Sequence, residues 1–108
     1  MASTWTAVAD PHRRAVLALL LARPRTVTEL TQQLGLTQPG TSKHLKTLRE
    51  AGLVRVRRDA QRRVYELEPA PLAELADWVA PYRRAWEEAL DALGRHLDET
   101  TDDPDRED

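Results

Sequence analysis

The sequence predicts a mostly α-helical domain closed by one small β-hairpin, and three observations carry that reading. At 108 residues and 12.3 kDa the chain is one domain by length, because two separate cores of that size would each be marginal. Phe is absent and aromatic residues make up only 5%, so the core must be built of Leu, Val and Ala, a composition that favours helices. Only one stretch, Leu53 to Leu67, shows β-branched runs on either side of a short polar break.

The helices follow from their caps and spacing. Ser3 or Thr4 can cap a short helix carrying Trp5 and Val8. Asp10-Pro11 starts a second helix well, with Asp as N-cap and Pro at the first position, where no N–H is needed. Val16, Leu17, Leu20 and Leu21 form its expected buried face, and Arg23-Pro24 stops it. Thr26-Val27-Thr28-Glu29 is a capping box for a third helix, in which Val27, Leu30 and Leu34 recur at helical spacing and Gly35 ends the run. Thr37 then caps a fourth helix whose Thr41, Leu45 and Leu48 point inward, and Gly52 marks its end. Leu53–Arg58 and Arg62–Leu67 read as strands around Asp59-Ala60-Gln61. Pro69 and Pro71 precede a last helical region, which Pro81 is expected to kink or restart.

Helix, three-residue turn, helix and basic hairpin together make a winged helix-turn-helix. The charge distribution fits it. Residues 37–67 carry eight basic and three acidic side chains, whereas residues 87–108 carry ten acidic and two basic, so the net charge of −2 hides a basic middle. With Thr41, Leu45 and Leu48 inward, the other face of the fourth helix presents Gln38, Pro39, Ser42, Lys43 and Lys46. Gln38 can pair bidentately with adenine, Lys43 can reach guanine, and Ser42 can bond a base or a phosphate. Thr37 at the helix start, Thr41 and His44 complete the recognition helix expected to bind DNA, His44 being open between phosphate contact and packing. Arg57, Arg58, Arg62 and Arg63 flank the hairpin tip, where they can clamp phosphates or enter the minor groove.

The run from Asp10-Pro11-His12-Arg13-Arg14, through Thr37-Gln38-Pro39-Gly40-Thr41-Ser42-Lys43-His44-Leu45, to Leu48-Arg49-Glu50-Ala51-Gly52-Leu53-Val54 resembles the ArsR/SmtB family of bacterial repressors. The likeness continues through Arg63-Val64-Tyr65-Glu66-Leu67 and the Pro71-Leu72 helix, over roughly residues 5–98. It implies a homodimeric repressor that leaves its operator when an inducer binds. Two departures stand out: Gly40 inside the recognition helix, and Thr41 where the family is usually apolar, with a hydroxyl expected to bond back to the preceding turn.

No metal site is expected. The chain has no Cys, which excludes thiolate ligands, disulfides and cysteine nucleophiles. The positions at which the family places metal-binding cysteines fall on Thr26 and Thr28, whose hydroxyls are poor ligands for soft metals. Of a second family site on the last helix only His96 and Glu99 match, while the partner positions are Arg83 and Ala85; a hard-metal or zinc site formed by His96, Glu99 and Asp91 across a dimer is the weaker alternative. His12 reads as a surface group. The histidines are scattered in sequence and no glycine-rich phosphate loop exists, so neither an enzyme nor a cofactor is expected.

Dimerisation is read from the last helix. Leu72, Leu75, Val79, Tyr82, Trp86, Leu90, Leu93 and Leu97 step by three or four, a stripe longer than a small core needs. Leu75, Trp78, Val79, Tyr82, Trp86, Leu90, Leu93 and Leu97, helped by Trp5 and Val8, are the expected interface of a homodimer joined through terminal helices. Burying roughly 600 Å2 of apolar area per chain would yield on the order of tens of kcal/mol before entropy is subtracted. A helical hairpin closing the core internally is the alternative. The expected domain spans residues 1–98, followed by an acidic, disordered tail at 99–108. The longest apolar run, Ala15–Ala22, is too short to cross a membrane, and a cytoplasmic protein is expected. The expected partners are double-stranded DNA and a second copy of the chain, with the inducer unidentified. The competing function is a winged-helix protein-interaction module without specific DNA binding.

Overall fold

The computed structural model describes residues 3–101. Eight elements follow one another: α1 (Thr4–Ala9), α2 (Pro11–Ala22), β1 (Arg25–Thr26), α3 (Val27–Leu34), α4 (Gln38–Glu50), β2 (Val54–Asp59), β3 (Arg62–Leu67) and α5 (Ala70–Thr101). They divide into two compact units, one ending at Leu75 and the other beginning at Ala76.

In the first unit the helix ends are set by the residues that announced them. Asp10 caps α2, its Oδ1 accepting from the backbone N–H of His12 at 2.8 Å and of Arg13 at 3.3 Å. The same turn secures α1: the Arg13 guanidinium donates to the carbonyls of Ala7 and Thr6, and that of Arg14 to the carbonyls of Val8 and Ala9. These are the end carbonyls that a short helix cannot satisfy by itself. At α3 both halves of the capping box form, Thr26 Oγ1 accepting from Glu29 N–H and the Glu29 carboxylate accepting from Thr26 N–H. The bond from Thr26 N–H, the ion pair with Arg23 and the bond from the Thr26 hydroxyl hold the Glu29 carboxyl below the usual carboxylate range against its desolvation.

Helix α4 ends in a Schellman motif. Gly52, at φ 76°, lets its N–H reach Arg49 O and the N–H of Leu53 reach Leu48 O at 2.9 Å. Leu48 and Leu53 are both fully buried, which supplies the apolar contact that accompanies this cap. They join Ala7, Val16, Leu17, Leu20, Leu30, Leu45, Val54 and Tyr65 in one core.

Four details depart from the sequence reading. The hairpin turn has two residues, not three, because Asp59 pairs with Arg62 and leaves Ala60 and Gln61 at the tip. Ala60 sits there at φ 59°, a conformation that costs a residue with a Cβ about 1–2 kcal/mol. A third strand, β1, pairs antiparallel with β3 through Arg25↔Tyr65 and Thr26↔Val64, so the sheet order is β1-β3-β2. Leu21 is not part of the buried face of α2 but 75% exposed, and it lines an apolar groove of about 350 Å3 with Val8, Leu17, Leu67, Leu72 and Leu75.

The fourth concerns α5, which runs from Ala70 to Thr101 with Pro81 inside it, so that of the kink or restart expected at Pro81 the restart does not occur. The lost bond to the Asp77 carbonyl is tolerated where that face of the helix is exposed to water. Because α5 reaches Thr101, the boundary drawn at residue 98 falls inside a helix. Residues 102–108, which hold most of the expected tail, lie outside the described residues.

Candidate nucleic-acid interface

The presentation of α4 depends on both its ends. Gly35, at φ 67°, turns the chain out of α3, and Thr37 caps α4 by accepting from Gly40 N–H at 3.1 Å. Gly40 has a local reason: a Cβ there would lie 3.0 Å from Thr37 Oγ1, crowding the hydroxyl that makes the cap. Thr41 is fully buried and its hydroxyl donates to Thr37 O at 2.9 Å, as the sequence suggested. That burial removes Thr41 from the set of side chains able to touch DNA.

With Thr41, Leu45 and Leu48 in the core, Gln38, Pro39, Ser42, Lys43, Lys46 and Arg49 are left exposed on α4. Gln38, Ser42, Lys46 and Arg49 line one side of a cleft of about 450 Å3, and Arg63 and Tyr65 of β3 contribute to it with Val27 of α3. Arg49 was missed in the sequence reading. The spacing of Gln38, Ser42, Lys46 and Arg49, by four, four and three, would have placed it on the same stripe.

The hairpin divides its arginines by strand alternation. Val56↔Tyr65 and Arg58↔Arg63 are successive same-face pairs, so Arg58 and Arg63 extend the inner face of the sheet, where Arg63 borders the cleft. Two like charges directly opposite repel each other. None of the ion pairs among the described residues involves Arg58, Arg63, Lys43, Lys46 or Arg49.

Arg57 and Arg62 lie on the other face and are already paired with carboxylates, so the four arginines expected at the wing differ in their surroundings. Arg57 Nε donates to Glu66 Oε1, Arg55 bridges Glu66 at 3.0 Å and Glu68 at 3.2 Å, and Arg62 pairs with Asp59 at 3.0 Å. The hydrogen bonds from Arg57 and Arg55 hold the Glu66 carboxyl below its ordinary range, and the bond to Glu66 raises the Arg57 guanidinium above its own.

Of the other basic groups of the first unit, Arg25 and His44 are withdrawn from solvent wholly or in part. Arg25 is buried, its guanidinium donating to Leu19 O at 3.0 Å and to Gln33 Oε1 at 2.6 Å. His44 is half-buried with its Nδ1 shut off from solvent, and its ring lies 5.6 Å from that of His12. The structure therefore gathers Asp10, His12 and His44, which sequence spacing could not show.

In the second unit Trp78, Val79, Tyr82, Trp86, Leu90, Leu93 and Leu97 are all exposed, and the rings of Trp78 and Tyr82 stack 4.8 Å apart. Trp5 of α1 is exposed as well, and Val8 and Leu75 are half-buried. No described helix is long and apolar enough to cross a membrane.

Comparison with known proteins agrees with this geometry. Residues 10–56 match the family model described as bacterial regulatory protein, arsR family. The HTH-type transcriptional regulator Rv2034 of Mycobacterium tuberculosis is 39% identical over 99 residues, covering 92% of this chain and 90% of that protein. A crystal structure of an ArsR family transcriptional regulator superposes with a TM-score of 0.67 at 34% identity, over 77% of this chain and 91% of that one. The transcriptional repressor BigR from Xylella fastidiosa gives a TM-score of 0.58 at 33% identity, over 70% and 78% of the two chains. The chain is a winged helix-turn-helix, DNA-binding transcriptional regulator, not an enzyme, and belongs to the ArsR family of bacterial regulatory proteins.

Proposed function

We propose that this regulator is a homodimeric repressor that binds a near-palindromic operator. The observation that carries the reading is the exposed stripe of Gln38, Ser42, Lys46 and Arg49, continued by Arg63 across one cleft, with no acidic partner among the described residues. Gln38 and Lys43 read base edges in the major groove, while Ser42, Lys46, Arg49, Arg58 and Arg63 hold phosphates. His44 does not read bases, since its exposed fraction is small and its Nδ1 points into the protein.

Two copies are needed because one such patch binds weakly, whereas two on a rigid spacer engage successive grooves about 34 Å apart. The apolar groove of the first unit and the exposed aromatic and Leu stripe of α5 supply apolar surface for that pairing. The absence of Cys directs attention to inducers other than arsenite-type thiophiles.

The test is fluorescence anisotropy on the DNA upstream of the gene at two salt concentrations, with random DNA as the control and sedimentation to establish the dimer. Operator binding well above random binding, lost by about 1–3 kcal/mol of discrimination in Gln38→Ala, is expected. Equal binding to random DNA would leave a protein-interaction module as the better reading.

A further inference from the structure

Where the first turn of α2 meets the middle of α4, Asp10, His12 and His44 each bring one metal-ligating atom within 4.8 Å of the other two. The two imidazole rings lie 5.6 Å apart, tilted by 39°. Neither imidazole takes part in a hydrogen bond among the described residues. His12 is exposed, and its Nδ1 comes only to 3.9 Å from Asp10 Oδ1. His44 Nδ1 is buried with no hydrogen-bond partner among the described residues, and such an orphaned group costs stability unless something binds it.

The Asp10 carboxylate is partly committed. Its Oδ1 makes the helix cap, while Oδ2 has only a 3.9 Å approach from Arg13. That guanidinium is turned to the carbonyls of Thr6 and Ala7, which leaves Oδ2 with lone pairs to offer.

We propose that Asp10, His12 and His44 form a binding site for a divalent transition-metal ion of borderline softness, such as Zn2+, held by two imidazole nitrogens and one carboxylate oxygen. The donor set selects the ion. Two imidazoles and a carboxylate suit Zn2+, Co2+ and Ni2+, whereas Mg2+ and Ca2+ require more oxygens and thiophilic ions require sulfur. Tetrahedral coordination at 2.0–2.2 Å places ligand atoms about 3.3 Å apart, so the cluster must close by roughly 1.5 Å. His12 is the ligand able to move, being exposed and free about χ1 and χ2. Three protein ligands leave a fourth position for water. The ion would tie the start of α2 to the recognition helix, and the site stands whether or not the repressor reading does.

The test is a titration of the metal-free full-length protein with Co2+, followed by visible absorption and then by displacement with Zn2+. One Co2+ per chain is expected, with ligand-field bands of a tetrahedral or five-coordinate site and a rise in melting temperature on adding Zn2+. His12→Ala changes an exposed residue, and Asp10→Asn keeps a good N-cap while removing the charge. Each should weaken Zn2+ binding at least about 10-fold, and His96→Ala should leave it unchanged. The proposal is overturned if no stoichiometric binding occurs, if affinity survives both His12→Ala and Asp10→Asn, or if it is lost in His96→Ala.

Discussion

The division of the hairpin arginines makes a quantitative prediction about salt. Each phosphate neutralised on duplex DNA contributes about −0.9 to the slope of log affinity against log salt concentration, through counterion release. Arg58 and Arg63 form no ion pair among the described residues and share the face that adjoins α4, whereas Arg57 must leave Glu66 and Arg62 must leave Asp59 before either can bind a phosphate. In a two-fold dimer the double variant Arg58→Ala/Arg63→Ala removes four contacts, so the slope should fall by about 3.6. Between 50 and 200 mM salt the wild type should then lose about 150-fold more affinity than the variant. Arg57→Ala/Arg62→Ala should change the slope by less than about 1, because each exchange of one anionic partner for another releases little net charge. Fluorescence anisotropy at 50, 100 and 200 mM salt on one duplex measures both variants. Equal flattening by the two pairs, or none from Arg58 and Arg63, would refute the assignment of faces.

Three further predictions test other parts of the structure. Glu66→Gln removes the carboxylate that occupies Arg57 and Arg55, and should raise affinity for random DNA and steepen its salt slope in the same anisotropy assay. The two left-handed positions should respond in opposite directions to the same pair of residues: Gly52→Ala destabilises by about 1–2 kcal/mol, while Ala60→Gly stabilises by up to about 1 kcal/mol, both read from urea midpoints. Trp86→Glu places a charge within the exposed stripe of α5; sedimentation should show a monomer that stays folded by circular dichroism and binds operator at least about 100-fold more weakly.

Most of the fold was legible because its punctuation is local. Asp10, the Thr26–Glu29 box, Gly35, Thr37 and Gly52 each act within four residues of themselves, and all function where the sequence placed them. What escaped depends on partners distant in sequence. Strand β1 has two residues, too few for any periodicity, and Thr26 serves at once as strand and helix cap. Leu21 sits in the unbroken apolar run from Ala15 to Ala22, where spacing cannot separate inside from outside. At Pro81 the sequence left a kink and a restart open, and the stripe, whose steps from Val79 to Tyr82 to Trp86 continue across it, goes with the helix that does not restart.

The same contrast between local and distant information governs the charges. A count of basic residues treats every arginine as available, yet Arg13 and Arg14 hold the end of α1, Arg25 is buried against Leu19 O and Gln33, and Arg55, Arg57 and Arg62 are occupied by carboxylates. Once these and the Arg23–Glu29 pair are set aside, the basic residues of the first unit left without ion pairs among the described residues are Lys43, Lys46, Arg49, Arg58 and Arg63, all from α4 and the inner face of the hairpin. Self-repulsion within that group, Arg58 against Arg63 most directly, costs the free protein stability that a polyanion would restore. The strength of the proposed DNA-binding surface should therefore be governed less by the total basic charge than by how much of it the fold leaves unspent, and a substitution such as Glu66→Gln should raise affinity without adding a single cation.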